Sequence, residues 1–347
     1  MNRLFRWDQM GLFLLALAAG ILPFAVPEVC AAALREGLTL CSGPLLLSLF
    51  PFLVVSRLLI QCPESDLLAL PFRLAAWGIG IRTPCAARVL CIGFLGGFAP
   101  AASAAAQAVR TGQLTAEEAD ALLPACICSG PSFVVLTVGQ SLLGSAELGV
   151  LLFASQITAN YLTAALLNRF AGVRSVKLGS AAPASPAPPR LDEILADAAI
   201  TYCKLCGFIL FFRMLAAGAG ALLPADAGTL CSILLEVCSG CDLASRTGRW
   251  GSLLCCAALS VQGLSVLLQV RTICPAEISL RPLLAARAVH LPLSVALFWL
   301  GSTVPVQAVQ TFTTLTERVV VLRRVPLDCA LLAFAVCCIT VEELARS

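Results

Sequence analysis

The sequence predicts an all-α polytopic integral membrane protein of about eight spans, with two inverted repeats that each contain a re-entrant or broken helical hairpin. Of its 347 residues, 59% are hydrophobic and 12% charged, with a mean hydropathy of +0.93. Soluble domains have about 45–50% hydrophobic and about 25% charged residues. Apolar segments long enough to cross about 30 Å of hydrocarbon recur along the chain. Several are interrupted by Gly or Pro, which weaken helical hydrogen bonds and are typical of helices that line a substrate pathway.

Composition also limits the function classes. The formal net charge is +3, and no basic block interleaved with aromatic residues indicates nucleic-acid binding. One histidine and few acidic residues favour a protein that is not an enzyme and has no cofactor. The 18 cysteines stand mostly in apolar segments, where Cys behaves as a small hydrophobe. Cys203 and Cys206, with Cys238 and Cys241, have the spacing of a thiolate metal site, but neither pair lies in a polar knuckle, so we expect no metal.

The amino-terminal part is predicted to contain two spans. Arg3 and Arg6 precede an apolar run over residues 10–26, which is compatible with a signal peptide, although the spans that follow favour a retained helix. A second span covers residues 40–60. Residues 66–81 are less hydrophobic, and we expect them to lie along the membrane surface or to enter partway.

Residues 93–131 are the stretch around which the chain is organised. A helix over residues 84–109 should break near Pro100, beside a Gly-Gly pair. Thr115 and Glu118 have the spacing of a capping box and should start a short helix. That helix meets Ser129-Gly130-Pro131, where the chain is predicted to turn back, which makes residues 112–143 a re-entrant hairpin. The alternative is a kinked span followed by an ordinary loop.

A Pro-rich, acid-free segment at residues 173–190 divides the chain into a first membrane half, 1–172, and a second, 191–347. The positive-inside rule places this linker in the cytoplasm. The second half is predicted to repeat the order of span, hairpin and span, with its hairpin at residues 226–245. The predicted spans after residue 143 cover residues 148–170, 197–223, 252–270, 283–300 and 322–341.

Several motifs together resemble the family of the sporulation integral membrane protein YlbJ, also called SpoVV, which carries a nucleoside-recognition or Gate domain. The matching runs cover most of the chain outside the linker: residues 112–119, 129–131, 138–139, 142–144, 234–240, 263–266, Gln269 and 281–287 with His290. Three places depart from the family pattern. Residues 97–103 lack the family's Lys and have a displaced Pro, residues 126–131 have Cys-Ile-Cys in place of Asn-Asn, and Leu267 stands where His is expected.

The resemblance implies a transporter distantly similar to concentrative nucleoside transporters. It would move dipicolinic acid, a small aromatic dianion, from the mother cell across the outer forespore membrane, so the protein is expected in the cell membrane and in that forespore membrane. Alternatives are a transporter of nucleosides, nucleobases or another small organic anion, and a non-transporting scaffold required for spore maturation. The lipid bilayer is a partner in every case. Coupling of transport to a proton or a cation, and assembly into a homo-oligomer, are two further possibilities that the sequence leaves open.

The predicted site places this dianion at two helix N-termini near the bilayer midplane, where free N–H groups and the helix dipole favour negative charge. Small-residue packing between helices is the alternative role of the Ser-Gly pairs. Glu236, a charge at membrane depth, is predicted either to carry a proton or to pair with Arg213 or Arg287. The predicted substrate-binding residues are Ser129, Gly130, Pro131, Glu236, Ser239, Gly240, Ser265, Gln269, Phe98, Ser103 and Asn160.

Overall fold

The computed structural model describes residues 2–61, 65–172 and 190–303, and within these ranges the secondary structure is entirely helical. Four helices are long and apolar enough to cross a membrane: Ala146–Ala171, Leu191–Leu222, Gly248–Ile273 and Arg281–Thr303. Large apolar side chains on them face outward, with Phe170 82% and Trp299 55% exposed. Such surfaces indicate a protein embedded in a membrane. The predicted linker up to residue 189 and the predicted span at 322–341 lie outside the described residues.

The amino-terminal helices are α1 (Asn2–Ala25), α2 (Pro27–Ser42), α3 (Pro44–Gln61) and α4 (Ser65–Gly78). α1 and α2 meet at 109° and would form a fifth span if the bent pair crosses as one unit. The span predicted at residues 40–60 is not continuous, because Gly43 followed by Pro44 ends α2 and starts α3.

The chain reverses sharply between α5 (Pro84–Gly96) and α6 (Phe98–Arg110). Gly97 joins them with a φ of +83°, a conformation that favours glycine. A Cβ on Gly93 would lie 3.2 Å from Cβ of Ala101. In a continuous helix, residues eight positions apart are separated by roughly 12 Å along the axis, so α5 and α6 fold back on each other as a helical hairpin.

The helix after this hairpin corrects the sequence prediction. α7 (Ala116–Cys126) begins with the predicted capping box, which is confirmed: Thr115 accepts from the N–H of Glu118, and Glu118 accepts from that of Thr115. A non-helical link then leads into a π helix, Ser132–Leu142. Both helices pack along α8 (Ala146–Ala171) rather than along each other. The hairpin predicted at 112–143 is therefore a discontinuous helix, because the extended link does not reverse the chain as Gly97 does.

The second half begins with α9 (Leu191–Leu222), against which α2 and α3 pack. α10 (Ala225–Leu235) and α11 (Val237–Ser245) form a second hairpin, since a Cβ on Gly240 would lie 2.7 Å from Cα of Ile233. Only Glu236 separates these two helices.

The remaining helices are α12 (Gly251–Val261), α13 (Gly263–Ile273) and α14 (Arg281–Thr303), with a short 3-10 turn at Gly248–Trp250 before α12. Gln262 separates α12 from α13 in a left-handed conformation with a φ of +63°. The span predicted at residues 252–270 is confirmed as part of the candidate span Gly248–Ile273, which Gln262 divides into two helical segments.

Candidate functional site

Four helix breaks meet in two pairs, and each pair is packed backbone against backbone. A Cβ on Gly97 would lie 2.6 Å from the nitrogen of Gly130. A Cβ on Gly263, whose φ is +70°, would lie 2.9 Å from the carbonyl carbon of Leu235 and from the nitrogen of Glu236. Each hairpin tip therefore touches the break of the discontinuous helix in its own half of the chain, and only glycine permits that approach.

One carbonyl group connects the two halves. The Ile127 oxygen, at the end of α7, accepts from Arg287 Nη2 at 2.7 Å, Asn160 Nδ2 at 3.3 Å and Gln262 Nε2 at 3.4 Å. Arg287 Nη1 also donates to the Ser260 carbonyl, at 3.3 Å. Side chains from α8, α14 and the α12–α13 break thus converge on the end of α7.

Buried polar side chains continue from this junction between α8, α12 and α14. Gln156 donates to Ser260 Oγ at 2.9 Å and to the Cys256 carbonyl at 3.2 Å. His290 Nε2 lies 3.2 Å from the Gln156 carbonyl, and Ser294 hydrogen-bonds Ser260. Because buried polar groups are costly without partners, this network fixes how the three helices pack.

Glu236 caps the start of α11, a role that was not predicted from the sequence. Its two carboxylate oxygens accept from the N–H groups of Cys238 at 2.8 Å and Ser239 at 2.7 Å. Arg213 pairs with Glu36 instead, at 2.7 Å, and Arg287 donates to carbonyl groups. The predicted ion pair between Glu236 and either arginine is therefore wrong.

The same cap corrects the predicted dianion site at α11. The carboxylate of Glu236 already occupies the N–H groups that were expected to bind substrate, and its charge would repel a second anion there. Gly240 packs against the backbone of Ile233 inside the hairpin, which is the small-residue packing role. Ser239 contributes its backbone N–H to the cap.

A polar cavity of about 180 Å³ lies between α3, α6, α9 and α13. Two predicted residues, Ser103 and Gln269, form its buried floor. Arg110 and Lys204 stand exposed at its mouth, beside an Arg57–Asp197 ion pair of 2.6 Å. The remaining lining residues are Ala106, Ile200, Thr201, Leu205, Phe208, Thr272 and Ile273.

Gln269 is the floor residue with hydrogen-bonding capacity to spare. Its Nε2 donates to Ser265 Oγ at 2.8 Å, whereas its buried Oε1 has no partner. A serine hydroxyl both donates and accepts, so the amide can turn over and present either its C=O or its NH₂ to the cavity. The pair of Ser265 and Gln269 can thus recognise either a donor or an acceptor on a bound molecule.

The predicted site residues fall into separate groups. Ser103 and Gln269 line the cavity, and Ser265 hydrogen-bonds Gln269. Gly130 and Asn160 belong to the junction of the helix breaks. The others lie next to the breaks: Phe98 follows Gly97 at the start of α6, Ser129 is buried in the α7–π link, and Pro131 is the N-cap of the π helix.

The cationic residues of the cavity, Arg57, Arg110 and Lys204, were not predicted from the sequence. Each is a basic residue inside or at the end of an apolar helix, and that placement is a usable signal because such charges at membrane depth are usually functional. In the described part of the chain, no group of three or more His, Cys, Asp or Glu side chains is placed to hold a metal ion.

The fold and this polar interior define a class: a helical membrane protein that contains broken helices and a small hydrophilic cavity. The chain matches no protein-family model, no curated protein and no solved structure.

Proposed function

We propose that this protein is a membrane transporter that moves a small organic anion, dipicolinate, from the mother cell across the outer forespore membrane. The observation that carries the proposal is the charge of the cavity. Arg57, Arg110 and Lys204 line it together with a single acid, Asp197, which gives a net charge of 3 − 1 = +2. Asp197 is already paired with Arg57. The two cations that are available to a dianion are therefore Arg110 and Lys204.

The size of the cavity supports a small substrate. Pockets for drug-sized ligands typically have volumes of about 300–1,000 Å³, and this cavity has about 180 Å³. A flat pyridine ring with two carboxylates suits such a space better than a nucleoside, which carries a ribose as well as a base. The cavity therefore favours dipicolinate over the nucleoside alternative.

The order of elements supports two inverted repeats, each with a hairpin, a discontinuous helix and a continuous helix. In the first repeat these are α5–α6, α7 with the π helix, and α8. In the second they are α10–α11, α12–α13 and α14. If the first discontinuous helix, α8 and α9 each cross the membrane, three crossings separate the hairpins. The hairpins would then enter from opposite sides, as in transporters that alternate access around a central site.

The position of the cavity supports uptake from the cytoplasm. Asp197, Thr201 and Lys204 lie in the first part of α9, which follows the linker that the positive-inside rule places in the cytoplasm. Ser103 and Gln269 lie six residues beyond Gly97 and Gly263, roughly 9 Å along their helices. The cavity would thus lead from the cytoplasm toward the junction of the helix breaks.

We expect Arg110→Glu and Lys204→Glu each to raise the KM for dipicolinate uptake into proteoliposomes by about tenfold or more, because each change replaces an attraction of about 1 kcal/mol by a repulsion of similar size. Uptake of radiolabelled dipicolinate at several concentrations measures the effect. The shift in KM should shrink at high salt, since exposed charges are screened.

Arg281→Glu is the matched control, because Arg281 is exposed at the start of α14 and outside the cavity. It makes the same charge change and should leave KM unchanged. Equal shifts in all three variants would indicate a general surface-charge effect and contradict the site. Uptake of nucleosides but not dipicolinate would support the nucleoside alternative, and absence of uptake by the purified protein would support a scaffold.

A further inference from the structure

Arg287 is a cation inside the protein whose charge is balanced by helix ends rather than by an acid. Its Nε is shielded from solvent and has no hydrogen-bond partner. Its two other nitrogens donate to the carbonyls of Ile127 and Ser260. Across residues 2–61, 65–172 and 190–303, no carboxylate forms an ion pair with it.

The two carbonyl groups belong to equivalent places in the two halves of the chain. Ile127 is the C-cap of α7, and Ser260 lies in the last turn of α12, so each marks the point where a discontinuous helix ends at its break. A helix C-terminus carries roughly half a negative charge. Two such ends together supply about one unit, which the guanidinium of Arg287 balances.

The carboxyl ends of broken helices are also where many transporters bind the cation that drives them, because their free carbonyls replace its hydration shell. In this protein the side chain of Arg287, from α14, lies at the carboxyl ends of the two broken helices. We infer that Arg287 is a tethered substitute for a coupling cation, so that substrate moves without Na⁺ or K⁺ bound at this junction. This inference rests on the proposed transport function and adds that a bound Na⁺ or K⁺ at this junction does not drive it.

Arg271 shows what an ordinary structural arginine looks like in the same protein. It donates to the carbonyls of Cys274 at 2.9 Å and Ile278 at 2.7 Å, in the loop that follows its own helix α13. Arg271 therefore satisfies carbonyl groups close to it in the sequence, just after its own helix. Arg287 instead reaches from a third helix to the breaks of two others, and for this reason Arg271→Ala is the control.

The first test measures cation binding without any substrate. In purified Arg287→Ala, the vacated site should bind guanidinium or Na⁺, and millimolar amounts of one of these ions should raise Tm saturably. Wild type and Arg271→Ala should show no such rise, and urea at equal concentration corrects for denaturing effects of guanidinium. Stabilisation of wild type by Na⁺ or K⁺, or no stabilisation of Arg287→Ala by either ion, would overturn the inference.

The second test measures flux. Dipicolinate uptake by wild type should be the same in Na⁺, K⁺ and choline. Uptake by Arg287→Ala should fall about tenfold or more in choline, because a charged hydrogen-bond donor is lost from a half-buried site. It should recover severalfold in Na⁺ or guanidinium. A wild type that needs Na⁺ or K⁺ for uptake would refute the inference even if the variant cannot be purified. If wild type transports no dipicolinate under any condition, the transport proposal fails while the Tm result still decides whether Arg287 replaces a cation.

Discussion

Gly97→Ala should lower the Tm of the detergent-solubilised protein by more than Gly144→Ala or Gly207→Ala, and should reduce its abundance in the membrane. Gly97 has a φ of +83° and a ψ of −162°, a region that is occupied essentially only by glycine and costs an alanine about 1–3 kcal/mol. Its new Cβ would also lie 2.6 Å from the nitrogen and 2.8 Å from the Cα of Gly130. Both atoms are backbone and cannot move aside like the end of a side chain, so the hairpin tip must leave the break of the next helix.

The chain offers controls that separate these two effects. Gly144 has a φ of +70°, but a Cβ added there would have nothing within 4 Å, so Gly144→Ala tests backbone strain alone. Gly207 lies in α9 with ordinary helical geometry and open space, and Gly207→Ala should be neutral or stabilising by up to about 1 kcal/mol. We expect Gly207→Ala to have the highest Tm of these three variants, Gly144→Ala an intermediate Tm and Gly97→Ala the lowest. Equal losses for Gly144→Ala and Gly97→Ala would show that the contact between the breaks is not tight.

Glu236→Ala should destabilise the protein by roughly 2–3 kcal/mol, because it removes two charge-assisted hydrogen bonds from a buried helix start. Glu236 is only 2% exposed, so water cannot replace the lost acceptor. Glu236→Gln keeps one carbonyl oxygen, and its free energy of unfolding should decrease by about half as much. Thermal unfolding of the three proteins measures the difference.

Asp242→Asn provides the comparison within the same helix. Asp242 pairs with the exposed Arg246 one turn later, and such pairs are worth about 0.3–0.5 kcal/mol. A loss for Asp242→Asn as large as that for Glu236→Ala would mean that α11 responds to charge in general. Full stability of Glu236→Ala would contradict the capping role.

The long apolar helices could be predicted from the sequence, whereas the path of the chain between them could not. The spans predicted at 148–170 and 283–300 lie within α8 and α14, because hydropathy over about 20 residues is a local property. Gly97 and Gly130 both stood out as breaks. Which of them reverses the chain depends on what each packs against, and a single sequence does not contain that information.

The break at Gln262 shows a second limit. A left-handed non-glycine residue has no strong sequence signal in an apolar run, and Gln262 is held in place by tertiary contacts, among them its bond to the Ile127 carbonyl 135 residues away. The cavity was hidden for the same reason, since α3, α6, α9 and α13 all contribute to it. Ser103 and Gln269 were predicted singly, without their common location.

The contacts between the helix breaks consist of main-chain atoms, which has an evolutionary consequence. Gly97 packs on Gly130, and Gly263 packs on Leu235 and Glu236. These contacts require a small residue at positions 97 and 263 and place almost no requirement on the neighbouring side chains. Selection on such a scaffold acts on a few glycines and leaves the apolar residues around them free to exchange for one another. We therefore expect proteins with this architecture to drift far apart in sequence while their hairpin tips stay superimposable.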